Sequence, residues 1–501
     1  MLRKQKFYLF CWLIGFEKLS VNNRIWNHPV LDFERGEKKE FYYNGQKLTG
    51  YENETIAAAL FASGVKVFRK GPRLGLPRGW FCGIGKCSSC LMKVNDTPNV
   101  RTCTTMVEEG MRVEAQEGKG KPPHHIEEKT RSEFEELNTQ LLIIGAGPAG
   151  LEAGITAEKL GMNTLIIDEN PKTGGQLVKQ THKFFGENSR EAGTRGTTIA
   201  QDLQKKYNGT VLPNMTVIGY EKNQKHTTYA QQKTKNGEKL LRIQADQIIV
   251  TTGARENYLS FQNNYLPGVY AAGGVQTLMN TYGIKPGNKA LIVGSGNVGL
   301  ILAYQLLQAG VKVKAVAEAL PEIGGYLVHS AKIGRQGVPI LTNHTIKKAK
   351  GENHVTGAVI TELNEDFESI PGSEKELDVD LICIAVGLTP SAELLFQAGC
   401  EKTYQKSLGG WIPIHNKNME TTLNGVYLAG DVSGIEEATA AISEGRIAAA
   451  SIGEKCDQKS KKARKIKRKE FKHLEKLRDS SFLKPVKKAK KEVWKEWENK
   501  N

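Results

Sequence analysis

The chain has 501 residues, a length that points to two to four domains rather than a single core. Its hydrophobic content of 39% and charged content of 25% are those of a soluble globular protein and single out no narrower class. The net charge of +16 suggests nucleic acid only until it is located: residues 454–501 hold 19 Lys/Arg against 8 Asp/Glu, a net of +11, so a tail is basic and the body is not.

Residues 1–36 read as an N-terminal extension. Met1–Lys6 is basic and Phe7–Phe16 is apolar, but ten residues cannot span a hydrocarbon core of roughly 30 Å. Glu17-Lys18 follows where a small-residue cleavage site would stand. A docked extension is the preferred reading, with an export or membrane-surface role as its alternative. No other stretch approaches transmembrane length, so the expected location is cytoplasmic, at most peripheral to a membrane.

Residues 37–118 predict a β-grasp, ferredoxin-like α+β domain. Glu40–Tyr43 and Gln46–Leu48 form a hairpin around Asn44-Gly45, the two-residue turn that such hairpins favour, and Thr55–Ala62 forms a helix. Short strands are expected at Cys90–Val94 and Arg112–Glu114. Between that helix and the last strand lie Cys82, Cys87, Cys90 and Cys103, spaced C-x4-C-x2-C-x12-C. Two irons bridged by two sulfides need four thiolates, three of them from one tight loop. Gly83 and Gly85 let that loop turn without a Cβ clash. The competing reading is structural zinc, which more often pairs two C-x2-C units; only one occurs here. The charged segment 119–138, with Pro122-Pro123 and His124-His125, reads as a linker.

Two strand–turn–helix–strand units follow, each a βαβ pattern. Fifty-two glycines, roughly one residue in ten against a typical ~7%, concentrate in such turns. The first unit has strand Gln140–Ile144, the loop Gly145-Ala146-Gly147-Pro148-Ala149-Gly150, a helix, and strand Asn163–Ile167. The second has strand Lys289–Val293, a loop with Gly294, Gly296 and Gly299, a helix, and strand Lys312–Ala317. In such loops the first glycine turns, the second lets backbone approach a pyrophosphate, and the third packs helix on strand. Aligning Pro171 with Pro321 and the glycine pairs behind them sets Asp168 opposite Glu318, each ending a strand where an acid for a ribose 2′-hydroxyl is expected. Glu169 stands next to share that role. A carboxylate at Glu318 with no arginine beside it favours NAD(H) over NADP(H).

With those units in place the sequence resembles the two-dinucleotide-domain, disulfide-reductase-like flavoproteins. The resemblance implies FAD at the first loop and NAD(H) at the second, with the NAD domain (271–398) inserted into the FAD domain (139–270 and 399–455). It implies that Thr252-Gly253 flank the insertion, and that Asp431 of Gly430-Asp431 binds the flavin ribitol. The redox cysteine pair of disulfide reductases does not occur after Gly145. Fold class is therefore α/β, two Rossmann-like dinucleotide-binding domains preceded by the ferredoxin-like domain.

That domain order, with Pro77–Val113 and the Gly174-Gly175-Gln176 motif, is similar to the α-type subunits of heteromeric amine and amino-acid dehydrogenases. That group includes sarcosine oxidase α, opine oxidase, hydroxyproline and proline dehydrogenases and hydrogen cyanide synthase. It implies a β-subunit flavoprotein that oxidises the small-molecule amine or amino acid, and an FMN can lie at the subunit interface. A self-sufficient NADH:acceptor oxidoreductase is the alternative. Residues 456–501 form the basic tail, read either as a solvated helix or as a surface docking on an acidic partner or membrane. Its densest stretch, Lys459–Lys469, lacks the interleaved aromatics of nucleic-acid binding.

Overall fold

A computed structural model describes residues 22–121, 134–184, 190–234, 237–455 and 460–500. The apolar run Phe7–Phe16, the Pro122-Pro123 and His124-His125 pairs, Cys11 and Cys456 lie outside them. The described chain divides into two compact units, one made of residues up to 121 with 258–385, the other of 134–257 with 386–500.

The first unit joins the ferredoxin-like domain to the second dinucleotide sheet. Its N-terminal sheet runs Gln46–Tyr51, Lys38–Tyr43, Arg112–Glu114, Leu91–Val94, Thr97–Arg101 in spatial order. The hairpin turn is where the sequence puts it: Asn44 has φ 47° and Gly45 φ 83°, the left-handed pair that matches strand twist. Thr55 caps the helix Ile56–Ala62 by accepting from the Ala58 N–H. Every residue of that helix is buried, because one face meets its own sheet and the other meets the second sheet's layer. Phe41, Phe61, Trp80, Tyr270, Leu278 and Leu300 share one continuous core.

The second sheet is parallel, ordered Val269–Ala271, Leu381–Ile384, Lys289–Val293, Lys312–Ala317, Ile340–Leu341. Leu381–Ile384 is apolar and buried throughout, and Lys289–Val293 is so after its first residue, as strands of a covered parallel sheet are. The described part of the N-terminal extension fastens the two layers. Arg24 and Arg35 both pair with buried Glu54 of the ferredoxin-like domain (2.7 and 3.2 Å), while Arg35 also donates to the carbonyls of Tyr282 and Gly283 (3.0 and 3.1 Å).

The second unit carries the first dinucleotide sheet, ordered Thr210–Leu212, Thr164–Ile167, Glu135–Ile144, Gly237–Val250, with Val426–Leu428 beside Gly237–Val250 and the hairpin Met215–Lys222/His226–Thr234 extending it. Glu135–Asn138 pair with Leu241–Gln244 as strand. Tyr258 through Tyr270 belong with the second sheet, because Val269–Ala271 pairs with Leu381–Ile384. Residues 386–398 belong with the first, because Leu388–Pro390 pairs with Ala254–Glu256.

The tail is the largest correction. Residues 460–478 and 484–498 are helices packed on their own chain, not a solvated arm. Phe471, Leu474 and Leu477 join the first sheet's core, and Ala489 and Val493 cover Leu408 and Ile412. Among the described residues no helix is long and apolar enough to cross a membrane.

Candidate cofactor sites

The cysteine loop is held from one side and open at the other. Cys82, Cys90 and Cys103 are buried and Cys87 is half-buried. Their thiols meet in a chain: Cys87 with Cys82, Cys82 with Cys103, Cys103 with Cys90. Among the described residues no three His, Cys, Asp or Glu side chains are disposed as ligands of one metal ion. Four thiols are the donor set that a [2Fe–2S] unit takes.

The four thiols share protons with one another, two held down and two pushed up. Cys82 is held well below the usual thiol range by hydrogen bonds from Cys103 and Cys87, then by the Ile84 and Lys86 backbone N–H groups. Cys90 is lowered by Cys103 and also accepts from Thr102. Cys87 and Cys103 are pushed up, chiefly because they act as the donors to those neighbours. Gly83 and Gly85 take φ of 66° and 75°, and a Cβ on Gly83 would stand 2.7 Å from the Trp80 ring. Arg69 lies by Cys87 and Cys90 and Arg101 by Gly85, and from Lys66 to Val107 Asp96 is the one acid, a setting suited to a cluster of negative net charge.

What seats the loop was not visible in the sequence. The helix Ala272–Gln276 runs beneath it, and the Trp80 Nε1–H donates to the Gly274 carbonyl at 3.0 Å. Gly274 approaches so closely that a Cβ there would lie 2.0 Å from the Phe81 carbonyl oxygen. The next turn, Thr277–Thr281, is a π-helix, and the Thr277 hydroxyl donates to the Gly273 carbonyl (2.8 Å). Such turns frequently mark functional sites.

The two glycine loops repeat one design. At the first glycine a Cβ would meet backbone: Gly145 sits against the Thr251 carbonyl (2.4 Å) and Gly294 against that of Ala385 (2.3 Å). The third glycine packs on the first, since a Cβ on Gly150 would lie 1.9 Å from the Gly145 carbonyl oxygen and one on Gly299 2.1 Å from that of Gly294. The second glycine is different. Gly296 has nothing within 4 Å and Gly147 only the Gly175 Cα at 3.9 Å. The packing of the fold leaves room for a side chain at both positions. Gly147 and Gly296 cap the helices Pro148–Lys159 and Asn297–Gln308, with Pro148 at the first turn, so free N–H groups face that opening.

Both acids end their strands as aligned, and both bind their own loops. Asp168, buried, accepts from the Ala146 N–H (2.6 Å) and from Asn170 (2.7 and 2.9 Å). Glu318, buried, accepts from the Ser295 N–H and hydroxyl (2.7 Å each) and the Leu320 N–H (3.0 Å). Glu169 stands exposed beside Asp168. Gly175, with φ 55°, lies against Gly147 so closely that its Cβ would fall 2.8 Å from the Gly147 Cα; Gln176 follows, exposed. The Thr252 hydroxyl donates to the Ser391 carbonyl (2.7 Å), and Gly253, φ 69°, opens on free space.

Gly430 turns with φ 78° beside Ala149, putting Asp431 at the mouth of the first loop's helix. Burial, with Glu444 and Glu436 close by, pushes the Asp431 carboxyl up to about 7. Sequence reasoning missed the residues behind it. Glu444 accepts from the Gly430 N–H (3.0 Å) and the Ser433 hydroxyl (2.8 Å). Gly445 lets its helix cross the first-loop helix, since a Cβ there would lie 2.1 Å from the Ala149 carbonyl. Cys383 and Cys400 are buried.

A family model described as pyridine nucleotide-disulphide oxidoreductase matches residues 139–445. The chain belongs to that family. A second model, the 2Fe-2S iron-sulfur cluster binding domain, matches residues 37–118, so the chain is an FAD-dependent oxidoreductase of this family fused to a [2Fe–2S] domain. It is similar to the alpha subunit of sarcosine oxidase from Corynebacterium sp. (strain P-1), 25% identical over 439 residues covering 83% of this chain. It spans only 43% of that relative's length. It is also similar to the A subunit of opine oxidase from Agrobacterium tumefaciens (strain Ach5), 28% identical over 62% of this chain and 64% of that one. Among solved structures, L-proline dehydrogenase from P. horikoshii shares the fold with a TM-score of 0.67 and 22% identity, over 88% of this chain and 79% of the other. Thioredoxin reductase from T. acidophilum shares it with a TM-score of 0.53 and 21% identity, over 64% and 99%.

Proposed function

We propose that this chain is the electron-transfer, α-type subunit of a heteromeric amino-acid or amine dehydrogenase, working beside a flavoprotein β subunit. FAD and NAD(H) supply two-electron chemistry and the cluster one-electron exchange. Cys82 and Cys87 would ligate one iron and Cys90 and Cys103 the other, following the contact order of the thiols. Gly145, Gly147 and Gly150 with the Ala149 amide would hold the FAD pyrophosphate, Pro148 setting the helix's first turn, and Asp168 with Glu169 would hold its ribose end. Gly175-Gln176, Thr252-Gly253 and Gly430-Asp431 would line the flavin. Gly294, Gly296, Gly299 and Glu318 would hold NAD(H), the Glu318 carboxylate disfavouring a 2′-phosphate.

The observation that carries the reading is the opening left at Gly147 and again at Gly296, two ligand cradles in one chain whose cysteine loop rests on the second sheet's unit. The described elements are taken up by the cluster domain, the two sheets with their appended strands and helices, and the tail helices. The relatives named above are, by name, subunits of sarcosine and opine oxidases, which supports placing amine oxidation in a partner. An FMN where the subunits meet would fit the same division of labour.

The test is a dye-linked assay with proline, sarcosine or D-amino acids, with and without a co-expressed β-type flavoprotein. Amino-acid turnover should appear only with the partner. Substantial turnover by this chain alone would put the active site in the wrong subunit. NADH oxidation at full rate without any partner would favour the self-sufficient NADH:acceptor reading, which the second open cradle at Gly296 supports.

A further inference from the structure

The tail's two helices deliver two cations to one buried point. Arg478 ends the helix Ser460–Arg478 and Lys490 lies in Lys484–Glu498; their side chains are 5% and 1% exposed. Both face Glu444, with Arg478 at 2.7 Å and Lys490 at 2.9 Å, and both face Glu436, at 2.6 and 3.4 Å. Those carboxylates are 3% and 4% exposed. Two buried carboxylates so close would not stay ionised without cations, and breaking a buried pair leaves an uncompensated charge.

Glu444 and Lys490 together suspend the segment Gly430–Ser433. Glu444 receives the Gly430 N–H and Ser433 hydroxyl, while the Lys490 ammonium donates to the Ser433 carbonyl (3.1 Å) and hydroxyl oxygen (2.6 Å). Asp431 lies inside that segment. A second tie reaches the helix that follows Gly147. Glu470 of the first tail helix pairs with Arg190 (2.8 Å) and Arg446 (3.4 Å), and Arg446 grips Glu152 of the helix Pro148–Lys159 through two bonds of 2.7 and 2.9 Å. Both the Gly147 helix and the Asp431 turn are thereby tied to the same terminal helices.

We infer that the two C-terminal helices form a clamp that holds the flavin site in its binding shape, with Lys490 and Arg478 as positioning residues. The inference rests on the reading of Gly147 and Asp431 as the FAD site. By reciprocity, flavin binding strengthens the docking of the tail as much as the tail strengthens flavin binding.

The experiment uses the full chain stripped of flavin and titrated with FAD. Wild type that takes up no FAD would overturn the underlying site reading. If wild type binds, Lys490→Met and Arg478→Met should each weaken FAD binding about 5- to 150-fold, the ordinary range of such coupling. Lys490→Arg should weaken it less. An unchanged FAD affinity in the two methionine variants, with only the melting temperature of the apoprotein lowered, would show a merely structural tail and overturn the inference. Should the variants fail to fold, limited trypsin digestion of the wild-type chain decides. FAD should slow loss of the tail by the same factor, and an equal cleavage rate with and without FAD would overturn the clamp.

Discussion

Gly274→Ala tests whether the cysteine loop is seated as described. The new methyl carbon would lie 2.0 Å from the Phe81 carbonyl oxygen, 3.0 Å from its carbon and 3.1 Å from the Cys82 carbonyl carbon, all backbone. Ordinary contact lies near 3.5 Å, so the loop must withdraw by roughly 1 Å or more. It cannot do so freely, because the Trp80–Gly274 hydrogen bond pins it and Trp80 is buried. Overpacking of this kind costs about 1–3 kcal/mol, and loss of the hydrogen bond about 1 kcal/mol more. The helix propensity of alanine returns at most about 1 kcal/mol, so the clash wins by roughly 1–3 kcal/mol. Urea unfolding followed at the cluster's visible absorbance should shift to lower denaturant, and iron content should fall. FAD content should hold, since Gly145–Gly150 and Asp431 lie in the other unit. Wild-type stability together with wild-type iron content would refute the packing argument.

Four further outcomes are expected. Cys87→Ser should abolish the cluster spectrum and leave FAD bound, as its loop and the first glycine loop lie in different units. Gly147→Val should give a folded chain without flavin, because the side chain has room in the fold and none beside a pyrophosphate; normal flavin content would mean the loop is misassigned. NADH should bind more tightly than NADPH, since Glu318 ends its strand as a carboxylate; equal affinities in a direct titration would contradict the assignment. Asp431 in the apoprotein is raised from 3.8 to about 7 by burial and by Glu444 and Glu436, with Lys490 opposing. A raised carboxyl contributes stability that is complete below its unfolded value and is lost as pH rises through the folded one. The melting temperature of the apoprotein should therefore fall between about pH 4 and pH 7 more steeply in wild type than in Asp431→Asn, and parallel curves would refute the shift.

Much of this architecture is legible in the residues alone where the signal is local. Lys289–Val293 and Lys312–Ala317 are bounded to the residue, because each opens on a lysine and closes in buried apolar residues before a glycine turn or an acid. Asn44-Gly45 specifies its turn for the same reason. The failures are contacts between distant segments. Gly273-Gly274 looks like ordinary loop glycine until the Phe81 backbone is found against it. Lys490, Arg478 and Glu470 look like solvent-facing charges, since a lysine-rich helix with few apolar residues offers no core stripe. They are buried only because Glu436, Glu444, Arg190 and Arg446 wait for them on other elements. The acids are easily located but only half understood from sequence: Asp168 and Glu318 brace their own loops through Ala146 and Ser295.

The measurement that bears most directly on the whole account is cofactor analysis of the chain purified without oxygen. It should give about two iron and two acid-labile sulfide per chain, with FAD released on denaturation. Zinc in place of iron and sulfide, or a chain that takes up no flavin when FAD is supplied, would contradict it.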